Sequence, residues 1–141
     1  MDAYAQAATR HLRDSKLLFG NQRFDNAVYL AGYVAECSMK AMIEVFDRHS
    51  NPRQFGHNLR KLQQEGLNRS IRLQPKLHSF LSSFAIDSTE LAKGHPDRRY
   101  WATGRWRPDL ARAVLELAEE IYQKTLLEMV LSGYLRRSDL G

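Results

Sequence analysis

The chain has 141 residues, 43% hydrophobic and 26% charged, with a formal net charge of +5 and an isoelectric point near 9.6. That composition describes one globular domain spanning residues 1–141, long enough for a single sizeable core. It excludes a disulfide scaffold, because Cys37 is the only cysteine, and a bilayer span, because no apolar run approaches the roughly 20 residues required.

"MDAYAQAATR" has neither a basic nor a hydrophobic leader pattern, so a cytoplasmic protein is expected, with Cys37 as a small core residue. In residues 2–20, Tyr4, Ala8, His11, Leu12, Ser15, Leu18 and Phe19 fall three or four apart, the spacing of an amphipathic helix. Asp2 is placed to cap its start and Gly20 to end it. A second helix is expected from Phe24 to Asp47, since Pro52 disfavours helix at Asn51. Its stretch "YLAGYVAECSMKAMI" is apolar almost all round, broken only by Glu36, Ser38 and Lys40, which makes this helix the central one.

A third helical region is interrupted. "GHNLRKLQQEG" carries Leu59 and Leu62 and is expected to stop at Gly66, and a new helix starts at Pro75. Asp87 and Glu90 have capping-box spacing for one short turn. The last helix is expected from Pro108 to about Gly133, with Leu110, Val114, Leu117, Ile121, Leu126 and Met129 as its apolar stripe. No segment alternates with period two for long enough to form a strand. The expectation is an all-α, up-and-down antiparallel bundle of four main helices plus short helical turns.

Glu36 and Lys40 are four apart with the acid N-terminal, the favourable helical order, worth a few tenths of a kcal/mol at an exposed position. Among the small neighbours Ala31, Gly32, Ala35, Ser38 and Ala41, a place in a cleft or an interface is the alternative. There the pair must be hydrogen-bonded, because an unpaired buried charge is costly.

The segment "HPDRRYWATGRWRPDLAR" interleaves Arg98, Arg99, Arg105, Arg107 and Arg112 with Tyr100, Trp101 and Trp106. Guanidinium groups neutralise phosphates and aromatic faces stack on bases, so this is the sequence's best candidate for an anionic, base-bearing ligand. Packing of the aromatics against the helices is the competing reading. Five scattered histidines and one cysteine give no zinc spacing, and no Walker loop, dinucleotide fingerprint or nucleophile elbow is present. No metal and no cofactor is expected.

Taken in order, Ala35-Glu36-x-x-x-Lys40, then Gly56-His57-x-Leu59, then Arg99-Tyr100 and a long closing helix, the chain resembles the HEPN domain (higher eukaryotes and prokaryotes nucleotide-binding). The resemblance covers nearly the whole chain. Trp101 stands where many members continue Arg-Tyr with proline. The resemblance implies a helical bundle, expected as a homodimer that binds a nucleotide or RNA, with a metal-independent ribonuclease or a structural dimerisation module without ligand as the alternatives. Members accompany small nucleotidyltransferases as the second subunit of a pair, bind nucleotides or RNA, act in toxin–antitoxin or defence systems, or cleave RNA without metal. His57, at the start of the third helix, would then be a neutral hydrogen-bonding group beside the helix N-terminus. For the ribonuclease branch, Arg72 and His78 have the required Arg-to-His spacing, although Pro75 interrupts the helix between them. The ligand-contacting residues expected are Arg98, Arg99, Tyr100, Trp101, Arg105, Glu36, Lys40 and His57.

Overall fold

The computed structural model describes residues 2–141. Helices α1 (Tyr4–Gly20) and α2 (Phe24–Phe46) form a hairpin, followed by α3 (Leu59–Leu73), α4 (Pro75–Ser82) and α5 (Pro108–Tyr122). The last helix continues through a π-helical turn at Gln123–Leu127 into α6 (Glu128–Leu131), and short 3-10 turns fill the connections. No strand occurs among the described residues, so the fold is all-α. None of the described helices is long and apolar enough to cross a membrane.

Helix α2 is the organising element. Fourteen of its 23 residues are buried, and it packs against α1, α3 and α5. Its large apolar side chains Val28, Val34, Met39, Met42 and Ile43 fill the core, while Ala27, Ala31 and Ala35 let neighbours come close. Pro75 and Pro108 each occupy the first turn of a helix, where a missing N–H costs nothing.

Several boundaries differ from the sequence-based expectation. Gly66 does not end a helix; α3 runs through it, because a side chain there would overlap Met42 on the crossing helix α2. Asp2 does not cap α1. Its carboxylate instead accepts from the Tyr4 hydroxyl at 2.9 Å and from the Arg53 guanidinium, also at 2.9 Å. Asp87 and Glu90 form no capping box; the segment is a 3-10 turn at Ile86–Ser88 without a side-chain cap.

The closing helix also departs from one straight stripe. Leu110 is exposed, and Ala111, Val114, Leu115, Ala118 and Ile121 face the core instead. The five-residue step from Ile121 to Leu126 is absorbed by the π turn, which adds one residue and returns Leu126 and Met129 to the core. Thr125 sits in this turn and its hydroxyl donates to the Ile121 carbonyl at 2.6 Å.

Gly32 marks the tightest approach to α2. A Cβ there would overlap the His95 ring and lie 2.6 Å from Arg98 Nη2. Gly32→Ala should therefore destabilise by about 1–3 kcal/mol in denaturant titrations, because its neighbours are held in place. Gly66→Ala should cost distinctly less, since only the flexible end of Met42 must move.

Candidate functional site

The polar interruption of α2 becomes intelligible once the fold brings distant residues onto it. Glu36 is buried, and its Oε1 lies 2.7 Å from His57 Nδ1, 3.8 Å from His95 Nε2 and 3.9 Å from Lys40 Nζ. Lys40 comes from the next turn of α2. His57 comes from the residue before the α3 cap, Asn58, whose side chain accepts from the Lys61 N–H. His95 comes from the long connection between α4 and α5. Three segments thus converge on one carboxylate oxygen.

A carboxylate only accepts, so the His57 Nδ1 hydrogen donates to Glu36 and leaves Nε2 facing away from it. The His57 side chain is 52% exposed, whereas the His95 side chain is fully buried. Tyr33, one turn before Glu36, ties the group together. Its ring packs edge-on against Tyr29, His57 and His95 and tilted against His11, at centroid separations of 5.3, 5.8, 4.9 and 5.7 Å respectively.

The arginine–aromatic segment divides into an inward and an outward half. Arg98 points inward and is only 5% exposed. Its Nη1 donates to the carbonyls of Leu91 at 2.8 Å and Lys93 at 3.1 Å, and its Nη2 to that of Val28 at 2.9 Å. The guanidinium therefore stitches the loop to α2 through its two terminal nitrogens. A solvated phosphate contact, as the sequence pattern suggested for Arg98, is incompatible with that position. Trp106 is buried beneath it, Arg98 Cζ lying 5.7 Å from the indole. Trp101 stacks on Trp106 at 6.3 Å with planes 15° apart. Asp25 on α2 anchors the far side of the loop, accepting from the N–H groups of Gly104 at 2.8 Å and Trp106 at 3.3 Å.

Arg99, Tyr100 and Arg105 make up the outward half. Arg99 lies 4.6 Å over the exposed Tyr100 ring. Arg105 lies 4.1 Å over Trp101. Their side chains remain exposed. Arg72 and His78 are placed elsewhere, on α3 and α4 on either side of Gln74, and no hydrogen bond or ring contact joins them among the described residues.

Electrostatics follow from burial and from these partners. Burial alone would raise the Glu36 pKa, but the attraction of His95, Lys40 and His57 outweighs it and holds the carboxyl below its usual value. Burial lowers His95 against the opposing pull of Glu36, and burial likewise lowers His11. Burial brings Arg98 down to about 10 and pushes the Cys37 thiol up to about 12, which leaves Cys37 an unreactive core residue.

Sequence reasoning missed His95 and the inward role of Arg98. The Gly32 position, too small to be chance on a packed helix, was the available signal for a close approach. The class defined by this architecture is an all-α domain whose central helix carries a charged cluster against a basic, aromatic loop. The HEPN domain family model matches residues 1–129, and the chain belongs to that family. No curated protein and no solved structure matches the chain.

Two outcomes are expected from the cluster. Glu36→Ala should destabilise by about 3–5 kcal/mol, because it strands the buried Lys40 ammonium. Acidification should weaken the fold in two stages. Below the ordinary histidine value of 6.5, the unfolded chain protonates at positions 95 and 11 while the folded rings resist. A second loss sets in below the usual carboxyl value of 4.5, as Glu36 is forced to protonate. His95→Gln should shrink both limbs in urea titrations run at stepped pH, because only His11 remains to drive the first and Glu36 loses one of the partners that hold its carboxyl low.

Proposed function

We propose that this HEPN domain binds a nucleotide or RNA through the outward half of the arginine–aromatic segment and the adjoining His57. The observation that carries this reading is that two exposed cations each lie over an aromatic ring, one exposed and one half-buried. Arg99 sits over Tyr100, which is 77% exposed, and Arg105 sits over Trp101. Guanidinium groups in that setting neutralise phosphates while the rings offer stacking faces. His57, held by Glu36 and half-exposed, adds a fixed hydrogen-bonding edge. Arg98, Trp106 and Asp25 give the loop its shape. Glu36 and Lys40 position His57 and do not themselves reach the ligand.

By its resemblance to other members, the domain is read as the accessory partner of a small nucleotidyltransferase, within a toxin–antitoxin or defence pair. The ribonuclease alternative draws no support from Arg72 and His78, which no hydrogen bond joins among the described residues. Homodimerisation belongs to the same reading. Ile71 and Leu73 at the end of α3 are exposed, and Tyr134 reaches over to donate to the Leu73 carbonyl at 3.4 Å. Together they leave an apolar patch suited to a second copy. Light scattering at micromolar concentration should show a dimer, and Leu73→Glu should shift it toward monomer. A monomer at every accessible concentration would remove this element of the reading.

Affinity for a single-stranded RNA should fall as salt rises. Arg99→Ala should weaken binding and reduce the logarithmic salt slope by about 0.7, the value for one lost phosphate contact. Tyr100→Ala should weaken binding by about 1–3 kcal/mol and leave the slope unchanged, because stacking releases no counterions. Arg136→Ala, at an exposed arginine outside the segment, is the control and should do little. Equal losses for Arg99→Ala and Arg136→Ala would mean generic basic attraction, and no binding at low salt would overturn the proposal.

A further inference from the structure

Glu36, His57 and His95 present three metal-ligating atoms that lie within 4.8 Å of one another. Glu36 Oε1 is 2.7 Å from His57 Nδ1 and 3.8 Å from His95 Nε2. A tetrahedral zinc ion with bonds of about 2.0–2.1 Å requires donors roughly 3.3 Å apart. The observed separations bracket that value. His57 would need to retreat slightly, which its half-exposed position before α3 permits, and His95 to advance.

A second, independent observation concerns His95. Its side chain is fully buried, and neither Nδ1 nor Nε2 has a hydrogen-bond partner. Buried imidazole nitrogens are ordinarily satisfied, since leaving one bare forfeits its hydration without return. At 3.8 Å the Glu36 oxygen is beyond hydrogen-bonding distance. Nε2 is thus directed at a carboxylate that it does not reach, as expected when something belongs between them.

We infer that Glu36, His57 and His95 form a binding site for a zinc-class divalent cation. Two imidazoles and one carboxylate suit Zn2+ and its neighbours in the first transition row, whereas Mg2+ and Ca2+ favour oxygen donors. Three protein donors leave a fourth position for water or another oxygen ligand. The cation replaces the hydrogen His57 donates to Glu36 and links the start of α3 to the loop before α5.

Lys40 opposes this site. Its ammonium stands 3.9 Å from Glu36 Oε1 and repels an incoming cation. That opposition supplies a control which a purely structural cluster would not pass. If a cation binds here, Lys40→Met should tighten binding, even where it lowers the stability of the metal-free protein.

The test uses the full chain stripped with a chelator. Zn2+ is titrated by calorimetry, and Co2+ by the visible absorption of a tetrahedral N/O site. One ion per chain is expected. His57→Ala and His95→Ala should each weaken it by at least about tenfold, with circular dichroism confirming that the variants are folded. His78→Ala, at a histidine outside the cluster, should bind like the parent, and Mg2+ should not compete. The inference is overturned if the parent takes up no stoichiometric Zn2+, or if His57→Ala and His95→Ala bind as well as the parent. It is equally overturned if Lys40→Met fails to tighten binding, because water bridging the same groups would then account for the geometry.

Discussion

A carboxylate taken out of water must be compensated where it lies, and the rest of this domain is arranged around that requirement at Glu36. The compensation does not come from one neighbour. Lys40 supplies charge from the same helix, His57 a hydrogen bond from the start of α3, and His95 a ring from the loop before α5. Two remote segments of the chain therefore have to be in place at once for the carboxylate to be tolerable. Burying a charge rarely adds net stability over an apolar side chain. What it adds here is a fixed meeting point, so that the half-exposed His57 and the loop bearing Arg99 keep a constant relation to α2.

Close packing makes that meeting point possible. Gly32 lets the His95 ring and the Arg98 guanidinium lie directly against α2, and Gly66 lets α3 cross the same helix at Met42. Arg98 then does for the loop what Glu36 does for the helices. Its Nη1 and Nη2 donate to the carbonyls of Leu91, Lys93 and Val28, which fastens an irregular segment to the core. With Arg98 and Trp106 committed inward, Arg99, Tyr100 and Arg105 are turned outward and stay exposed.

Local chemistry made the helices readable before the structure. Pro75 and Pro108 start helices because proline fits only the first turn, and the apolar run around residues 29–43 makes α2 central. The order of Glu36, Lys40, His57 and Arg99-Tyr100 pointed to the family found for residues 1–129. What the residues could not show was direction. Arg98 and Arg99 are adjacent and chemically identical, yet one is a core stitch and the other a surface cation, a difference set by the 3-10 turn at Asp97–Tyr100. His57 and His95 are too far apart in the chain for any spacing rule to join them. Gly66 was misleading for a related reason, since a glycine needed for close approach looks the same in a sequence as one that ends a helix.

The central claim is that Glu36 and its neighbours act as one coupled unit and not as separate surface groups. A double-mutant cycle on folding stability tests it most directly, with Glu36→Gln, Lys40→Met and the two combined. The account predicts that each single change is costly because it strands the other partner. The double variant should then be more stable than the sum of the singles implies, by about 1–3 kcal/mol. Additivity to within about 0.5 kcal/mol would contradict it, and would mean that the two groups do not depend on each other in the folded protein.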